Sequence, residues 1–298
     1  MSFIINPYVF QVASTFTNTK AVSKSLTTGT SNSISFTDTS DAFNFTGADA
    51  WSISFWVKAG WNSSLNTNIH FLLGQKTNAS FQMVDMIKIM YNESTNRIEV
   101  RYGNKPSSSI QWYNQGGWLF HSNSGIYAAG YAAAGLGTTF WSSSNRGYVN
   151  SDNYTMITVT NDGSNTAASL RLYWNANGMG TAPIQTNNNS GNRAENPISS
   201  TNDRAWSLGS NGVSQGETKT GNNTATVYND VTFWDKQLSD SEVTELYNSG
   251  TVLDATTHTA ADTNLKGYWT FETDGDNTLG DAAGQDFEIN GDSAIVNK

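Results

Sequence analysis

The chain changes its residue period decisively once, between Asn229 and Gly250, and that change limits what it can fold into. Val231 and Phe233 alternate with Thr232 and Trp234, the two-residue period of a strand with both faces occupied. The period then becomes helical. Ser239 can cap a helix, Glu242 three positions later completes a capping box, and Val243, Leu246 and Tyr247 form an apolar stripe at i, i+3 and i+4 that ends at Gly250. One short helix on the end of a strand, in a sequence otherwise made of alternating segments, braces a sheet and does not build a core. The reading is an all-β chain with one short helix near its C-terminal third.

Strand periods recur along the rest of the chain. Trp51, Ile53, Phe55 and Val57 point to one face, and Ser52, Ser54, Trp56 and Lys58 to the other. Segments 71–73, 84–91 and 97–102 continue as strands, and in the last Ile98, Val100 and Tyr102 oppose Arg97, Glu99 and Arg101. Near the end, Tyr268 and Trp269 of the Gly267-Tyr268-Trp269 strand sit on opposite faces. Residues 1–32 read as an N-terminal arm or an edge strand, and residues 33–298 as one domain with insertions at about 104–150 and 175–226. The first insertion carries Trp112, Tyr113, Trp118 and Trp141 among Gly, Ala and Ser with little charge. Three readings are open for these rings: stacking on sugars, burial in a subunit contact, or packing over the sandwich.

Composition excludes several function classes. With 298 residues the chain can bury a full core, and its net charge of −9 without a basic block argues against a nucleic-acid or anionic-membrane partner. There is no cysteine, so neither disulfides nor thiolate metal sites contribute. Residues 1–10 lack the basic start and apolar run of a secretory signal, and no stretch reaches transmembrane length.

The segment Asp230-Val-Thr-Phe-Trp-Asp-Lys-Gln-Leu-Ser-Asp-Ser-Glu-Val-Thr-Glu-Leu-Tyr247 resembles the closing part of laminin G-like and pentraxin-like domains of the concanavalin A-like lectin/glucanase superfamily. Trp51-Ser-Ile-Ser-Phe-Trp-Val-Lys58, Tyr154-Thr-Met-Ile-Thr-Val-Thr-Asn161 and Ala205-Trp-Ser-Leu-Gly209 agree with it in the same order. The resemblance implies a two-sheet antiparallel jelly-roll sandwich. It also implies Ca²⁺ at the sandwich edge, with Asp230 and Asp281 as the matching metal-binding positions. The Gly-Tyr-Trp strand comes first in many such domains and last here, which resembles structural proteins of marine tailed phages.

Catalysis has little support in the residues. Glu272-Thr-Asp274-Gly-Asp276 is the nearest thing to a glycanase strand, but the third carboxylate position is Asp276 or Asn277, and a retaining pair needs two carboxyls about 5 Å apart across the sugar bond. His70, His121 and His258 are isolated in sequence. The expectation is a non-enzymatic bacteriophage virion protein, either a capsid decoration or a fibre or appendage subunit. It would be made in the host cytoplasm and act as a homo-oligomer or multicopy assembly with other virion proteins. Surface glycans are a secondary partner, and a free carbohydrate-binding lectin is the alternative.

Overall fold

The computed structural model describes residues 17–24, 34–39, 42–43, 45, 49–59, 69–77, 83–92, 97–104, 117–121, 154–164, 170–181, 185–186, 204–209, 226–280, 285–291 and 293–298. The described strands are β1 (Lys20–Lys24), β2 (Ile34–Asp38), β3 (Ala50–Ala59), β4 (Ile69–Thr77), β5 (Met83–Asn92), β6 (Arg97–Asn104), β7 (Gly117–His121) and β8 (Thr155–Asp162). They continue with β9 (Leu170–Trp174), β10 (Asn177–Thr181), β11 (Gln185–Thr186), β12 (Arg204–Leu208), β13 (Thr226–Trp234), β14 (Leu265–Trp269), β15 (Glu288–Ile289) and β16 (Ala294–Asn297).

Among the described residues these strands form two eight-stranded antiparallel sheets. The first runs β10-β9-β8-β3-β13-β1-β16, with β14 also paired to β13; the second runs β11-β7-β6-β5-β4-β12-β2-β15. The sandwich expected from the sequence is therefore present. Of the stretch read as an arm, residues 1–16 and 25–32 lie outside the described residues. Its described strand, β1, is hydrogen-bonded on both sides, by β13 and β16, and so lies inside the sheet. The two expected insertions contribute β7 in the first case and β10, β11 and β12 in the second.

Strand alternation decides what each face buries. Trp51, Ile53, Phe55 and Val57 of β3 meet Phe36 of β2, Ile87 and Ile89 of β5 and Trp206 of β12 in one core between the sheets. Its centre is aromatic: the Phe233 ring lies 4.7 Å from Trp206 and 5.1 Å from Phe43, the latter edge-to-face. Gly74 on β4 faces Trp206 across the register, and a Cβ built there would fall 2.5 Å from the indole ring. A residue without a side chain is needed for the ring to lie flat on the sheet.

The outer face of the first sheet carries a second apolar layer. The short helix α1 (Asp240–Tyr247) begins with the expected capping box: Glu242 N–H donates to Ser239 Oγ at 3.3 Å, and Ser239 N–H donates to the Glu242 carboxylate at 2.8 Å. It ends on Asn248, whose left-handed backbone (φ 45) lets its N–H reach back to the last carbonyls, two residues before the Gly250 stop read from the sequence. Val243 and Leu246 pack with Trp56, Met156, Trp234, Leu238 and Tyr268. The turn region after Gly250 holds a 3-10 turn at Ala255–Thr257 and a one-turn helix at Ala261–Asn264. His258 ties this layer together. Its Nδ1 accepts from Ala260 N–H at 3.0 Å, which leaves Nε2 to donate to the Glu242 carbonyl at 2.9 Å.

Candidate functional site

Among the described strand residues, a bulge with a left-handed residue lies at Asn229–Val231. Along β13 the register with β3 jumps between Asn229 and Thr232, so Asp230 and Val231 together oppose one residue of β3. Asp230 takes φ 45, a left-handed conformation that Asp and Asn tolerate better than most residues. On its other side, β13 changes partner at this point. Its residues 226–228 pair with β1 and its residues 231–234 pair with β14, and Asp230 stands at the handover.

The bulge sends Asn229 and Asp230 toward the same cluster. Tyr268 of β14 donates its hydroxyl to Asp230 Oδ1 at 2.7 Å, while the Asn18 side chain, just before β1, donates Nδ2 to Asp230 Oδ2. Asn229 Nδ2 donates to Asn18 Oδ1 at 2.9 Å. Lys298, just after β16, donates Nζ to the same Asn18 Oδ1. Its Nζ also lies 5.2 Å from the centre of the Tyr154 ring, and Lys58 Nζ lies 5.3 Å from that ring. The backbone brings these ends together, because Lys298 N–H donates to the Thr19 carbonyl at 2.9 Å and extends the β1–β16 ladder.

Burial sets the electrostatics. Asp230 is 4% exposed, and loss of water pushes its carboxyl up to about 7, against the opposing hydrogen bonds from Tyr268 and Asn18 and the nearby charge of Lys298. Burial pushes the Lys298 amine down, opposed by the charges of Asp230 and Glu272. Burial raises the Tyr268 hydroxyl, and the Asp230 charge and hydrogen bond raise it further. The Tyr154 hydroxyl is pushed up to about 12 by burial. The cluster is a buried carboxylate bonded to a carboxamide, which in turn is bonded to an amine at the open side.

The other candidate residues divide clearly. Trp112, Tyr113 and Trp141, the rings read as ligand-binding, and Asp281, read as metal-binding, lie outside the described residues. Trp118 lies on β7, opposite Tyr102 of β6 and Thr186 of β11. Asp230 is the described member of the calcium pair, and both its oxygens engage protein donors. Among the described residues, no group of three or more His, Cys, Asp or Glu side chains converges. Glu272 is taken up structurally: its carboxylate accepts Thr19 N–H at 2.8 Å, Thr19 Oγ1 at 3.0 Å and Lys20 N–H at 2.9 Å, all at the start of β1. Asp274 Oδ1 accepts Asp276 N–H at 3.2 Å, a turn contact. Sequence reasoning missed Asn18, Asn229 and Lys298 as a group, and their only sequence signal was the adjacency of Asn229 to Asp230.

The two antiparallel sheets fit the concanavalin A-like sandwich that the sequence resembles. No protein-family model matches the sequence, and no curated protein matches it. Solved structures match it only at low similarity. The binding domain of Paraclostridial Mosquitocidal Protein 1 is 16% identical with a TM-score of 0.40, covering 69% of this chain and 38% of that one. Botulinum neurotoxin type C, in a study of its interaction with two ganglioside molecules, is 14% identical with a TM-score of 0.42, covering 78% of this chain and 42% of that one. The binding domain of botulinum neurotoxin DC in complex with rat synaptotagmin II is 14% identical with a TM-score of 0.41, covering 78% and 42%. The chain spans well under half the length of these proteins, and none of their binding properties transfers to it at this distance.

Proposed function

We propose that the chain is a non-enzymatic structural and binding module of a bacteriophage virion, a decoration or fibre subunit that works in many copies. The observation that carries the non-catalytic part is the use of Glu272. A glycanase carboxylate must be free to meet the sugar bond, whereas this one is filled by three donors of Thr19 and Lys20 and holds the first strand in place. Support for the virion comes from the sequence: the Gly267-Tyr268-Trp269 strand follows the helix, an order resembling phage structural proteins. Many copies also suit a module whose weak contacts, with a shell protein or a surface glycan, add through avidity.

Light scattering on the purified chain, and mass spectrometry of virions from a lysate in which it is expressed, test this reading. A multimer that is also present in virions is the expected result. A soluble monomer absent from virions, retained on a glycan column, replaces the reading with the free lectin.

A further inference from the structure

We infer that Lys298 and Asn18 become joined by an intramolecular amide bond, formed by attack of Lys298 Nζ on the Asn18 side-chain carbon with Asp230 as the proton-transfer group. This goes beyond the proposed function and does not depend on it. Three side chains from three separate parts of the chain meet here in the roles that the reaction needs. The nucleophile, Lys298 Nζ, contacts the oxygen of the amide that it would attack. The carboxyl of Asp230 contacts the nitrogen that would leave. Asn229 Nδ2, 2.9 Å from Asn18 Oδ1, donates to the oxygen on which negative charge develops. Tyr268 is a positioning residue that fixes Asp230 from the other side at 2.7 Å.

The steps balance without any co-reactant. The exposed Lys298 ammonium first gives a proton to water and the Asp230 carboxylate takes one up, leaving a neutral amine and a carboxylic acid. The amine nitrogen forms a bond to Asn18 Cγ, and the carbonyl electrons move onto Oδ1, held by Asn229. Asp230 gives its proton to Nδ2, the Cγ–Nδ2 bond breaks, and ammonia leaves. One of the two protons on the former amine passes to water, the other stays as the N–H, and a secondary amide remains. Burial favours the start of this sequence, because it pushes the Lys298 amine down and the Asp230 carboxyl up, toward the neutral pair. Fixing amine and amide side by side at the end of the β1–β16 ladder makes the attack unimolecular. The charges facing the centre are those of Asp230, Lys298 and Glu272, with the Tyr268 hydroxyl beside them. A second lysine–asparagine contact in this strand pair, Lys20 Nζ to Asn297 Oδ1, has no carboxyl against its amide among the described residues and is expected to stay unlinked.

The test is the mass of the denatured full chain and of its tryptic peptides. The parent is expected to be lighter than its sequence by one ammonia, and trypsin should release Met1–Lys20 joined to Gly267–Lys298. Asp230→Asn retains a residue suited to the left-handed backbone, and both it and Lys298→Arg are expected to give the full mass and separate peptides. Circular dichroism like the parent's shows that they fold. A folded parent with the full mass and separate peptides, after incubation at neutral pH, overturns the inference. A linked Asp230→Asn chain, formed as fast as the parent, overturns the role given to Asp230.

Discussion

Asp230 places an ionisable group where water is nearly absent and where the strand backbone is turned left-handed, so its cost and its use can both be measured. Its carboxyl is raised in the folded state, to about 7 from the ordinary 3.8, so the folded chain holds a proton that the unfolded chain releases. The contribution to stability is therefore full below about pH 4 and is lost as pH rises through about 7. Lys298, pushed down by burial, acts in the opposite sense in its own range, so the acid-to-neutral window belongs to Asp230. Urea unfolding of the Lys298→Arg background, which cannot form the proposed link, should show stability falling from pH 5 to pH 8. Adding Asp230→Asn should flatten that slope, and an unchanged slope would assign it elsewhere. Gly74 makes a simpler residue-scale case. Its missing side chain leaves room for the Trp206 ring, and Gly74→Ala should lower stability by ~1–3 kcal/mol through overpacking, read by denaturant midpoint.

At the scale of elements, α1 shows how much the sequence discloses when the physics is local. Ser239 and Glu242 lie three residues apart and form the cap that this spacing predicts, and Leu246 lies on the buried side of its stripe. Ser239→Ala should cost about 1 kcal/mol through loss of the cap, and Leu246→Ala about 2–4 kcal/mol through the cavity left against Trp56 and Trp234, both by thermal melt. A smaller loss for Leu246→Ala would mean that the layer collapses onto the gap. The sandwich was legible for the same reason, since strand alternation at Trp51–Val57 is written within one element. His258 was not legible as the tie of the helical layer, because its two partners belong to Glu242, 16 residues earlier, and to Ala260. The Asn18–Lys298 contact joins residues 280 apart, and only the β1–β16 register brings them together. A bulge that aims two consecutive side chains to one place breaks the alternation from which faces are read.

For the whole molecule, the decisive seam is where the first and last described strands join the sheet. β13 has a single edge to offer and divides it between β14 and β1, so a break in the ladder falls at Asp230, and the donors at the start of β1 need other acceptors. Glu272 supplies them, accepting Thr19 and Lys20 N–H and the Thr19 hydroxyl, and β16 then closes on the far side of β1. Removing the carboxylate should loosen the terminal pair without disturbing the aromatic core, which is built from other strands. Glu272→Ala should cost about 1.5–2 kcal/mol, the lower part of the range for hydrogen bonds to a charged group, because the site is partly open to water. Hydrogen exchange should speed up at Thr19–Lys24 and Ala294–Lys298 and stay slow at Trp51–Val57. The same variant separates structure from catalysis. Parent and variant should both release no reducing ends from β-glucans, agar-type galactans or alginate, and turnover by the parent that is lost in the variant would make Glu272 a catalytic group in place of a strand anchor.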